Sequence, residues 1–124
     1  MKTIENNKLI AEFMGEEANE YANYSFPQHG YLKLNGEFKT DFKVSELKYH
    51  TSWDWLMLVA ERIEEEENED GYRYNVIIER DICKIEIDGR VIVHCAGNSF
   101  NNKLSSTFVA VVEFIKWYNE NKED

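Results

Sequence analysis

Between residues 61 and 71 the chain runs ERIEEEENEDG, setting seven carboxylates, Glu61, Glu64, Glu65, Glu66, Glu67, Glu69 and Asp70, against one cation, Arg62. Carboxylates at this density can do one of two kinds of chemistry. They can ligate a hard cation such as calcium, or they can imitate the spacing of phosphates and occupy a groove lined by arginine and lysine. The plainer alternative is a solvated helix end that aids solubility, which is the commoner role of a charge run. The calcium pattern is incomplete. Glu66, Asn68, Asp70 and Gly71 fall on the first, third, fifth and sixth positions of an EF-hand loop, but the twelfth, which needs a bidentate glutamate, is Ile77. No metal and no other cofactor is expected.

Other reactive side chains are scattered. His50 and Asp54 lie four apart where a helix begins, and with His94 they could form the corner of a small hydrolytic or metal-dependent site. Neither a nucleophile motif nor a phosphate loop accompanies them, and a capping or orienting contact accounts for the pair. The expectation is a non-enzymatic protein. Cys83 and Cys95 are not in a CxxC arrangement, which removes zinc and thioredoxin-like readings. A plain hairpin register puts them on opposite faces of a sheet, so they are read as reduced thiols. Trp53 and Trp55, two apart on a helix, cannot both face one core. One of them should lie at the edge, where a tryptophan beside acids suits a protein-binding hot spot.

The elements that carry these residues follow from composition and period. At 124 residues, with seventeen aromatics and a single proline, the chain fits one domain, residues 1–124, with a core that needs no metal or disulfide. No apolar run is long enough to span a bilayer, and MKTIENNKLIAEFMGEE lacks the continuous hydrophobic segment of a leader, so a cytoplasmic protein is expected. Six of the acids fall in residues 64–70, which leaves only −4 of the net −10 for the rest of the chain. Such an acidic surface repels nucleic acid and anionic membranes, and its natural counterpart is a basic protein.

Leu9, Ile10, Phe13 and Met14 predict a short helix ending at Gly15, and residues 16–30 read as loop. Asn35-Gly36 predicts a hairpin turn, after which Phe38, Thr40, Phe42 and Val44 share a strand face. Thr51 or Ser52 caps a helix whose stripe is Trp53, Leu56, Met57, Ala60 and Ile63, flanked by Trp55 and Val59 and fraying among the glutamates. Three strands, YRYNVIIE, ICKIEI and RVIVHC, form a meander turning at Arg80-Asp81 and Asp88-Gly89. Its expected inner face is Tyr74, Val76, Ile78, Cys83, Ile85, Ile87 and Ile92, with Ile85 opposite Ile92 and Cys83 opposite His94. Asn102 caps a last helix with Leu104, Phe108, Val111, Ile115 and Tyr118 on one stripe, ending near Asn121. The expected fold is α+β: a three-stranded antiparallel meander packed against two long helices, with an N-terminal helix and hairpin.

Three blocks, NKLIAEFMG (7–15), YHTSWDWLM (49–57) and VVEFIKWYNEN (111–121), resemble a group of small uncharacterised proteins of phage and prophage-like genomes of Bacteroidetes. Members of that group often carry a proline directly after SWDWLM, where this chain has Leu58, which permits a smoother helix here. The resemblance brings no catalytic residues. It implies a small, acidic, phage-associated accessory protein acting inside a bacterial host by binding a host protein, in the manner of an anti-CRISPR inhibitor of a nucleic-acid-targeting defence system. On that expectation Glu61, Glu64, Glu65, Glu66, Glu67, Glu69 and Asp70, aided by Trp53 or Trp55, meet the basic groove of a nucleic-acid-binding partner. The other expectations to be weighed are the enzyme at His50 and Asp54, and self-association through the aromatic C-terminal helix.

Overall fold

A computed structural model describes residues 2–15, 23–25, 33–34, 37–38, 41–43, 46–96 and 102–121. The chain gathers into two compact units, Met1–Lys48 and Tyr49–Asp124.

In the first unit, helix α1 spans Lys2–Phe13 and buries Asn7, Ile10 and Ala11. It ends as its sequence dictates: Gly15 takes φ +85, the left-handed conformation that glycine adopts without steric cost, and its N–H donates to Glu12. The buried Asn7 amide donates to the Leu47 carbonyl at 3.2 Å, which ties α1 to the end of the unit. Four short strands lie between, β1 (Asn23–Ser25), β2 (Lys33–Leu34), β3 (Glu37–Phe38) and β4 (Asp41–Lys43). Leu34 sits opposite Glu37, the pairing that a two-residue Asn35-Gly36 turn requires, although those two residues lie outside the described ones. The expected loop over 16–30 contains a strand, because β1 pairs antiparallel with β4. The single strand face expected for Phe38, Thr40, Phe42 and Val44 is divided instead, since β3 and β4 pair with different partners; Thr40 and Val44 lie outside the described residues.

The second unit holds helix α2 (Trp53–Glu65), strands β5 (Asn75–Glu79), β6 (Ile82–Ile87) and β7 (Arg90–Ala96), and helix α3 (Lys103–Asn121). The strands form an antiparallel meander in the order β5-β6-β7, with α3 packed on β6 and β7 and α2 packed on β5. Ser52 is the cap of α2, its hydroxyl accepting from the Trp55 N–H at 3.5 Å. Asn102 caps α3, its side-chain oxygen accepting from Ser105 at 2.9 Å. Helix α2 passes through Leu58 without a break. Its buried stripe is Trp55, Leu56, Val59, Ala60 and Ile63, rotated from the expected one so that Met57 faces solvent.

Between β6 and β7 the register shifts by one residue at a bulge. Ile87 pairs with Arg90 and Glu86 with Val91, but Ile85 then faces Val93, Lys84 faces His94 and Cys83 faces Cys95. The expected pairs Ile85–Ile92 and Cys83–His94 are therefore corrected. The side-chain alternation of a strand has period two, so one extra residue turns every later side chain to the other face. Val93 takes the buried place assigned to Ile92, and both cysteines lie on the helix-covered face. On the other face Ile77, Lys84 and Glu86 are half-buried and Val91 is exposed.

Candidate functional site

The acid run is divided by its hydrogen bonds into two groups with different roles. At the end of α2 the Glu64 carboxylate accepts from the Val76 N–H at 3.1 Å, satisfying a donor on an outer strand of the sheet. Glu66 is half-buried, is ion-paired with Arg62 at 3.2 Å and accepts from the Tyr118 hydroxyl at 3.0 Å. Glu67 bridges in antiparallel fashion to Arg73, with their side chains 3.7 Å apart. Between those two residues Asn68 folds the loop: its side-chain oxygen accepts from the N–H groups of Asp70 and Tyr72, and Gly71 takes φ +85. The end of α2 is thus a tied turn rather than a frayed one.

Glu61, Glu65, Glu69 and Asp70 are different. All four are exposed, and none of their carboxylates has an ion-pair or hydrogen-bond partner among the described residues. With Asp54 and Met57 the first two lie on the solvent face of α2, where spacings of three and four residues stack side chains in one row. Met57, 41% exposed, is the apolar centre of an otherwise acidic row. Its position between Asp54 and Glu61, three and four residues away, was the sequence signal that it belongs to the polar face.

Beside the loop a groove of about 750 Å³ opens, lined by Glu67, Glu69 and Asp70, by Tyr74, Trp117 and Tyr118, and by Arg90. Its aromatic lining is held by packing: Tyr74 meets Phe114 edge-on at 4.9 Å and Trp117 at 6.1 Å, and Tyr118 stacks on Phe114 at 5.8 Å. Burial raises the pKa of Tyr118, as do the hydrogen bond to Glu66 and the Glu66 charge; Tyr74 is raised by burial and then by that charge. Both phenols therefore stay neutral well into the alkaline range.

The two tryptophans part as geometry requires. Trp55 is buried edge-on against Tyr49 at 5.2 Å, and Trp53 is half-buried. Of the pair, only Trp53 can reach a partner's surface. His50 packs against Phe108 with ring centroids 6.2 Å apart, on the helix side of the sheet, while His94 is exposed on the face turned away from α3. The structure does not bring His94 together with His50 and Asp54. Among the described residues no group of three or more His, Cys, Asp or Glu side chains could hold a metal, and no helix is long and apolar enough to cross a membrane. Asn68, assigned to a cation in the calcium pattern, spends its oxygen on the loop backbone.

Compared with family models, with curated proteins and with solved structures, the chain matches none.

Proposed function

We propose that this chain is a non-enzymatic, phage-associated accessory protein that binds a basic, nucleic-acid-binding protein of its bacterial host, as an anti-CRISPR-like inhibitor does. The observation that carries the reading is a set of four exposed carboxylates that have no bonding partner among the described residues, Glu61 and Glu65 in the α2 row that holds Met57, and Glu69 and Asp70 on the groove that Tyr74, Trp117 and Tyr118 also line. Carboxylates already neutralised by internal partners have little to offer a cationic ligand, whereas free ones gain charge-assisted hydrogen bonds from arginine. An apolar methionine and aromatic faces add the contact area that converts electrostatic encounter into affinity, and guanidinium groups also stack on tryptophan and tyrosine.

Binding of this kind uses the same cationic groove as nucleic acid. Captured at low salt, the partner should be released by duplex DNA or structured RNA. A partner that stays bound in the presence of saturating nucleic acid is not held by the acidic face, and the reading then fails.

A further inference from the structure

The register shift between β6 and β7 has placed two thiols directly opposite each other. Cys83 pairs with Cys95 across antiparallel strands, so both side chains leave the sheet on the same face. Both are free in the structure, Cys83 fully buried and Cys95 partly reaching solvent. Directly opposed residues on antiparallel strands hold their Cβ atoms about 4.5–5.5 Å apart, close to the separation of about 3.5–4.5 Å that a disulfide spans. Thr107 of α3, itself buried, lies in hydrogen-bonding contact with Cys83, which shields that thiol from direct attack by solvent species.

We propose that Cys83 and Cys95 form a reversible cross-strand disulfide when the protein meets a low-molecular-weight disulfide, making this pair a redox modification site. The more accessible Cys95 loses its proton and its thiolate attacks one sulfur of the oxidant. The oxidant's S–S bond breaks, one thiolate leaves with the electron pair, and Cys95 is held in a mixed disulfide. Cys83 then gives up its proton and attacks the Cys95 sulfur, forming the cross-strand bond and expelling the second small thiolate. The two cysteines have lost two electrons, and the two expelled thiolates take up the two protons released, so that the oxidant ends as two thiols. Burial raises the pKa of both cysteines, and for Cys95 the Glu113 carboxylate adds to the rise, so the reaction runs faster in mild alkali than at neutrality.

The test is to treat the reduced full chain with glutathione disulfide at mildly alkaline pH, without denaturant, and to follow intact mass and thiol alkylation. The expected product is a monomer lighter by two hydrogen atoms, resistant to alkylation, yielding a peptide that links Cys83 to Cys95, and restored by a dithiol. The variant Cys83→Ser should instead accumulate a stable glutathione adduct on Cys95, and Cys95→Ser should stay unmodified. A wild-type chain that stops at the glutathione adduct, remains fully reduced, or forms disulfide-linked dimers would overturn the proposal.

Discussion

The Tyr118 hydroxyl donates to the Glu66 carboxylate across 3.0 Å, joining the last helix to the end of the second one at the centre of the acid run. One carboxylate of the run is therefore part of the fold, while Glu65 beside it points to solvent. Sequence neighbours with the same side chain have separate roles here.

That separation is measurable by stability. Tyr118→Phe removes a hydrogen bond to a charged group, which costs about 1.5–3 kcal/mol. Glu65→Gln touches no such bond and should stay within about 0.5 kcal/mol. Urea denaturation of the two variants checks the difference, and equal midpoints would contradict the assignment of Glu66.

Glu64 holds a backbone donor of the sheet, accepting from the Val76 N–H at 3.1 Å. Replacing it with alanine frees the Val76 N–H, so exchange of that amide with solvent deuterium should speed up while the amides of β6 stay protected. The accompanying loss of stability is about 0.5–1.5 kcal/mol. Unchanged exchange at Val76 would show that the carboxylate does not hold that donor.

The bulge predicts an inversion of ordinary expectations about β7. Val93 is buried and Ile92 is not, so Val93→Ala should cost about 2 kcal/mol from lost burial and the cavity left behind. Ile92→Ala, although it deletes more atoms, should cost less. A larger loss at Ile92 would restore the plain hairpin register.

Alkaline pH supplies a further check on the core. Burial pushes the Cys83 thiol up from 9.0 to about 11, with the Cys95 thiol beside it adding to the rise and contact with Thr107 opposing it. A raised folded-state pKa means that the unfolded chain loses its proton first. The stabilisation is complete below about pH 9 and is lost as pH climbs through the window to about 11. The upward shifts of Tyr74 and Tyr118 act in the same sense. The variant Cys83→Ala should show a shallower fall in stability across that window than the wild type, measured by urea midpoints at successive pH values.

Local signals in the sequence were enough for the frame. Asn102 and Ser52 cap the helices they precede, Asp88-Gly89 turns the second hairpin with both residues at positive φ, and Gly15 closes the first helix. Each of these depends on residues within a few positions of one another. The bulge was not legible, because no glycine marks it and both Ile92 and Val93 suit a buried strand position. The division of the acid run was hidden for a related reason. It is set by a strand N–H twelve residues beyond Glu64 and by a phenol fifty-two residues beyond Glu66, and neither distance has a local signature.

In the proposed function Glu61, Glu65, Glu69 and Asp70, which have no bonding partner among the described residues, carry binding, and the bonded carboxylates do not. The direct measurement is a pull-down from a lysate of the proposed bacterial host at low and high salt, comparing the wild type with the combined variant Glu61→Gln, Glu65→Gln, Glu69→Gln, Asp70→Asn, after circular dichroism has shown that the variant is folded. The prediction is that the wild type recovers a nucleic-acid-binding protein at low salt, that high salt releases it, as screening of exposed charges requires, and that the variant recovers none. Equal recovery by both proteins, or recovery that ignores salt, would contradict the claim.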